Sequence, residues 1–189
     1  MYKSNMLTKS LAGLLLVAGL NATSIQASEV KYDYIEGRYI IDAEPDNFNG
    51  DGDGLQMGGS FRIDKDFYIF GSYQTLDLDF SNDIDTFQLG VGYVRPVNAS
   101  WDANFSLALV NVDANSNDDS GFAIAAGMRG MLAPKIEGRA KLTFIDVNDS
   151  DTYITLGGDY FFTPKVSVGI EIDFAGDLDV LSIGAKYYF

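Results

Sequence analysis

From residue 31 to the C-terminus the chain alternates apolar and polar residues with period 2, in ten segments of about ten residues, and no stretch after Ser28 sustains a helical period. The expected strands are 31–42, 54–63, 67–77, 86–95, 101–111, 121–132, 136–145, 152–162, 166–174 and 179–189. Alternation confines the fold, because it gives every strand two faces that must meet two different environments. The connections alternate as well. One set is short and basic: IDKDF with Lys65, RPVNAS with Arg95, LAPKI with Lys135 and FTPKV with Lys165. The other is rich in Asp: the first connection, LDFSNDID, VDANSNDDSG, VNDSD and AGDLD. The pattern describes an antiparallel up-and-down meander with two chemically distinct ends.

The apolar parity runs, for example, through Leu55, Met57, Phe61 and Ile63, through Phe87, Leu89, Val91 and Tyr93, and through Val166, Val168, Ile170, Ile172 and Phe174. It could face a soluble core or lipid. The opposite parity mixes charges with very small residues: Gly58, Ser60, Gly90, Gly92, Ala123, Ala125, Gly127, Gly157, Gly169 and Gly184. A solvated face favours Thr and longer polar side chains, whereas a cramped lumen needs small ones. Aromatics on the apolar face fall at two heights. Tyr39, Tyr73, Phe87, Phe122, Phe144 and Phe174 lie near the acidic end, and Phe67, Tyr93, Trp101, Tyr160, Phe162, Tyr187 and Phe189 near the short turns. Two aromatic girdles around an aliphatic band, on strands of ~9–11 residues, are what a bilayer selects. A soluble sandwich or lipocalin-like barrel is the competing reading. In hydrocarbon the sheet must close, because an open edge leaves backbone groups without partners, and an even strand number lets the first and last strands pair antiparallel.

The N-terminus reads as a secretory signal. Lys3 and Lys9 precede the apolar run LAGLLLVAGL, and NATSIQA ends on a small residue, so cleavage is expected after Ala27. Residues 1–27 are then the signal peptide and 28–189 the barrel domain. Export together with lipid-facing strands implies a Gram-negative outer membrane, with short turns in the periplasm and acidic loops at the cell surface.

The C-terminal segment VLSIGAKYYF ends in Phe189, with Tyr187, Ile183 and Leu181 on the same parity. With the girdles and the signal sequence, it resembles the small outer-membrane β-barrel proteins, the OmpA-barrel and OmpX-like group, over the whole mature length. The resemblance implies that Phe189 and Tyr187 are the signal read by the barrel-assembly machinery, and that lipid and lipopolysaccharide surround the barrel. Many members of that group have eight strands. Ten are expected here, with eight as the alternative.

Composition removes several classes of function. Acids outnumber bases 27 to 13, a net charge of -14, which repels nucleic acid. The absence of Cys and His excludes Ser-His-Asp and Cys-His catalysis. The enzymes of related small barrels rely on a His, so no enzymatic role is expected. On the inward parity, Arg38, Arg62, Arg129, Arg139, Lys141 and Lys186 face Glu36, Asp102, Glu137, Asp159, Glu171 and Asp173, with Gln56, Gln74, Gln88 and Asn104 to complete the hydrogen bonding. Unpaired charges in a narrow lumen are costly, so an internally paired polar plug is expected.

The functional expectation is a structural or surface-interaction, adhesin-like barrel with a largely plugged lumen and an unknown surface ligand. The alternative is a narrow, porin-like path for ions or small solutes. A wide general pore is not expected, since aqueous channels of the porin type need about 16 strands. A third reading is a surface barrel binding divalent cations. In DNFNGDGDG, residues Asn49, Asp51 and Asp53 are spaced like the first ligands of a calcium loop, but Ser60 stands where the bidentate Glu belongs. No cofactor is expected beyond weak Ca2+ or Mg2+ at these acidic loops.

Overall fold

The computed structural model describes residues 30–45, 52–78, 83–114, 117–176 and 178–189. The expected signal peptide and the candidate ligands Asn49 and Asp51 lie outside the described residues. Ten strands follow one another: β1 (Tyr34–Pro45), β2 (Gly52–Arg62), β3 (Phe67–Leu78), β4 (Ile84–Pro96), β5 (Trp101–Ala114), β6 (Asn117–Ala133), β7 (Ile136–Val147), β8 (Asp149–Thr163), β9 (Val166–Phe174) and β10 (Leu178–Tyr188). Each pairs antiparallel with its neighbours, and β1 pairs with β10 from Tyr34↔Tyr188 to Pro45↔Leu178, closing the barrel. The strand count is ten, not eight.

Two boundaries differ from expectation for physical reasons. The expected first strand starts at 31, but β1 begins at Tyr34, because residues 30–33 turn into the lumen. At the acidic end, much of what reads as loop is strand. Asp113, Asp118, Asp146, Asp149 and Asp151 all pair across strands, and β7 passes to β8 through Asn148 alone, at φ 60. Asn tolerates that left-handed conformation better than most residues. Asp has low strand propensity, but the register set lower in each hairpin carries the pairing upward. The acidic end is therefore a strand-built collar.

The apolar parity faces outward over the whole circumference. Leu109 is 72 % exposed and Met57 66 %, values that belong to surface residues and not to a core. A contiguous apolar exterior of this extent is unstable in water and suited to hydrocarbon. The girdles pair across strands: Tyr73 lies opposite Phe87, the Phe122 and Phe144 rings are 6.3 Å apart, and Phe67 and Tyr93 are 5.3 Å apart. No described helix is long and apolar enough to cross a membrane; the strands cross it.

Inside, one apolar cluster sits towards the short turns: Val30, Tyr32, Tyr68 and Val94, with Phe70 against it. A second sits towards the acidic collar: Ile40, Ala43 and Leu76, packed by Leu78, Ile84, Leu178 and Val180. The polar lumen lies between them.

Candidate functional site: the lumen

Strand register sets like charges face to face on the inner wall. Arg129 lies opposite Arg139, and Glu137 opposite Asp159. Directly opposed like charges repel, and the lumen resolves this along diagonals. Arg129 Nε donates to Glu137 Oε1 at 2.6 Å and its Nη2 to Oε2 at 3.2 Å. Arg139 Nε donates to Glu171 Oε2 at 2.6 Å, and its Nη1 to Asp159. Gly157 stands between Arg139 and Glu171 in register, and a Cβ there would lie 2.7 Å from the Arg139 guanidinium carbon. The missing side chain is the gap through which the guanidinium reaches its second carboxylate.

The network extends to β1 and β10. Arg38 pairs with Glu36 at 3.2 Å and with Glu171 at 3.8 Å, and Lys186 Nζ donates to Asp159 at 3.0 Å. Of the twelve charged residues expected in the lumen, this lattice takes in eight: ion pairs join Glu36, Arg38, Arg139, Asp159, Glu171 and Lys186, and Arg129 with Glu137 forms a second group. Lys141 and Asp173 line the cavity outside it, Asp173 accepting a hydrogen bond from the Thr155 hydroxyl. Arg62 serves the seal described next, and Asp102 lies opposite Arg129.

Residues that sequence reasoning did not single out close the short-turn end. The Tyr32 ring lies between two guanidinium groups, Arg62 at 5.0 Å and Arg129 at 5.2 Å from its centroid, and 5.1 Å from the Tyr68 ring. Arg129 also stands 5.4 Å from the Tyr34 ring and donates to the Tyr188 hydroxyl at 3.2 Å. The segment carrying Tyr32 is tied down at several points. Asp33 Oδ1 accepts the Arg62 amide at 2.7 Å, Val30 O accepts Arg62 Nη2 at 3.4 Å, and Lys31 Nζ donates to Pro164 O at 2.9 Å. A readable signal existed for part of this. Tyr68 and Phe70 fall on the inward parity of β3, and their register partners are Gly92 and Gly90. A Cβ at Gly90 would lie 2.6 Å from the Phe70 ring, and one at Gly92 would collide with the hydroxyl-bearing edge of the Tyr68 ring. Each large side chain fills the space left by a glycine.

Above the seal is a cavity of ≈ 420 Å³ that runs up to Asp151, Ala175 and Leu178 at the collar. Its two walls differ. The lattice forms one. The other carries Gln56, Gln74, Gln88 and Asn104, where Gln56 and Gln74 are direct cross-strand neighbours.

The candidate cation ligand Asp53 lies on the outer face of β2 and accepts the Tyr39 hydroxyl at 2.9 Å. Around it, Asp53 faces Asp77, and Asp85 faces Asp113, which in turn faces Asp118. A hydrogen bond between Asp77 and Asp83 raises the Asp77 carboxyl above its ordinary pKa. Among the described residues no group of three or more acidic side chains has an arrangement suited to holding a metal ion. At the C-terminus Tyr187 and Phe189 point outward, and the Phe189 ring stacks on Phe61 at 6.4 Å.

No family model and no curated protein matches the chain. Solved structures do. The KdgM porin in complex with disordered oligogalacturonate superposes with a TM-score of 0.52 at 8% identity, covering 82% of this chain and 99% of that one. The β domain of the Bordetella autotransporter Brka gives 0.53 at 10% identity, covering 83% and 99%. An outer-membrane channel from Pseudomonas putida F1 gives 0.50 at 7% identity, covering 90% and 100%. The fold is that of the bacterial outer-membrane β-barrels. At these identities the likeness shows the fold alone, and proteins with different activities share it.

Proposed function

We propose that the protein is an integral outer-membrane barrel with a structural or surface-interaction role, its lumen closed at the short-turn, periplasmic end and its acidic collar presented to the cell surface. One observation carries this reading: Tyr32 is buried between Arg62 and Arg129 and packed on Tyr68, so the N-terminal segment fills the lumen where a continuous water path would have to pass. Kinship with the OmpA-barrel and OmpX-like group, recognition of Phe189 and Tyr187 by the assembly machinery, and lipopolysaccharide with bridging Ca2+ or Mg2+ around the collar belong to the same proposal. The outward carboxylates just above the upper girdle support the last of these.

The second reading is a narrow path for ions or small solutes. The polar cavity above the seal favours it, as do the porins among the structural neighbours. Recordings in planar bilayers separate the two. The wild-type barrel is expected to give no steady conductance, and Val30→Ala with Tyr32→Ala is expected to give reproducible small steps. Steady steps from the wild type would overturn the closed-lumen reading.

A further inference from the structure

The two walls of the lumenal cavity use their polar groups differently. On the lattice wall, guanidinium, ammonium and carboxylate groups bond mostly to one another. On the opposite wall, the carboxamides of Gln56, Gln74, Gln88 and Asn104 border the cavity, and none has a hydrogen-bond partner among the described residues. All four are half-buried, with their amides at the cavity surface and not packed into the wall. A row of free amides directed into a cavity therefore presents donors and acceptors for something that enters it.

Register extends this surface around the barrel. Asn104, Gly127, Lys141, Thr155 and Asp173 follow one another across β5 to β9 as cross-strand partners. Gly127 leaves a gap between Asn104 and Lys141. Among the described residues Lys141 makes no ion pair, and Asp173 accepts one hydrogen bond, from the Thr155 hydroxyl. At the lower end, Tyr68 and Phe70 border the same cavity and offer aromatic surface.

We infer that this cavity is a binding site for an uncharged, polyhydroxylated solute, a sugar or polyol between a hexose and a disaccharide in size, entering from the acidic collar. Each hydroxyl both donates and accepts, which is the complement of a carboxamide, and the amides, the Lys141 ammonium and the Asp173 carboxylate supply both partners around the ring. The apolar C–H face of a sugar matches the aromatic rings at the base. The volume of ≈ 420 Å³ falls within the range of small-molecule sites, ~300–1,000 Å³. Charge excludes the other solute classes. An anion must pass the collar, where Asp119, Asp149 and Asp151 fall on the inward parity and repel it. A cation is drawn to the collar, but the cavity wall sets Arg129, Arg139, Lys141 and Lys186 against Glu36, Asp151, Glu171 and Asp173, so it holds no excess of negative charge to retain one.

The inference rests on the closed-lumen reading for its dead-end geometry, and its test is separate. Full-length barrel purified in detergent is titrated calorimetrically with glucose, sucrose and sorbitol, and with galacturonate as the anionic comparator. Saturable binding of at least one neutral probe is expected, with galacturonate weaker. Gln74→Leu with Gln88→Leu is expected to weaken binding about tenfold or more, the loss of one or two hydrogen bonds. Met57→Leu on the lipid face should leave it unchanged, and retained folded mobility on gels confirms that each variant is a barrel. Absence of saturable binding by all three neutral probes overturns the inference. So does binding indifferent to Gln74 and Gln88 in folded variants, or a preference for galacturonate. A barrel that conducts in bilayers yet binds a neutral probe through Gln74 and Gln88 overturns the closed-lumen reading and supports the site.

Discussion

Glu137→Gln tests the lumen lattice at its most buried member. The Glu137 side chain is 1 % exposed and accepts two of the three hydrogen bonds that Arg129 donates, the Arg129 side chain being 7 % exposed. Glutamine keeps the shape and one acceptor oxygen but removes the charge. Breaking a buried pair from one side costs about 3–5 kcal/mol, because the partner charge is left buried without compensation. Here the Tyr32 and Tyr34 rings and the Tyr188 hydroxyl stay around the guanidinium. They offset about 1–2 kcal/mol of that cost, so a net loss of roughly 1–4 kcal/mol is expected. Replacing both partners, with Arg129→Met and Glu137→Leu, removes the stranded charge and should recover most of the loss. Urea unfolding in phospholipid vesicles measures this, with the single tryptophan, Trp101, as the reporter. The reasoning fails if Glu137→Gln lies within about 0.5 kcal/mol of the wild type, or if the double variant is less stable than Glu137→Gln.

Other consequences follow from the exterior, the glycine sockets and the collar. Leu107→Arg places a charge on the outer face between the girdles and is expected to cost about 2–4 kcal/mol in vesicles, whereas a water-soluble barrel would tolerate it. Gly92→Ala puts a methyl group where the Tyr68 ring sits, so it should destabilise by about 1–3 kcal/mol; Gly92→Ala with Tyr68→Ala, which vacates the space, should remove that overpacking penalty in the same unfolding assay. At the collar, the hydrogen bond to Asp83 raises the Asp77 carboxyl, so the folded state holds that proton more tightly than the unfolded chain. Stability of the β2–β3 collar should therefore rise as pH falls from neutral through the raised value towards the ordinary carboxylate range. Hydrogen exchange at the upper amides of β2 and β3 reads this, and Asp77→Asn should abolish the pH response; an unchanged response in that variant would refute the assignment.

Parity made the exterior legible. Leu55, Met57 and Phe61, or Leu107 and Leu109, mark the lipid face by position alone, because a strand cannot turn one residue without turning all of them. The collar was less legible. Asp113, Asp118 and Asp149 read as loop from local propensity, but each has a cross-strand partner that continues a register set many residues below. The lumen was legible as a set of charges and not as a set of pairs. Arg139 and Glu171 are far apart in sequence, and only the register across Gly157 brings them together. The seal was the least legible part. Tyr32 falls in the expected first strand and Val30 just before it, and nothing local indicates that they turn inward to meet Tyr68.

The sequence alone determined that the chain alternates in ten spans, which face of each span is apolar, and which end of the barrel is acidic, since these depend only on side-chain order along an extended backbone. The tertiary structure decided which charges neutralise which, where the lumen is closed, and which amides are left facing open space. Those outcomes depend on closure. Joining β1 to β10 sets the stagger of every strand against its neighbour, and that stagger determines which inward side chains meet across the lumen.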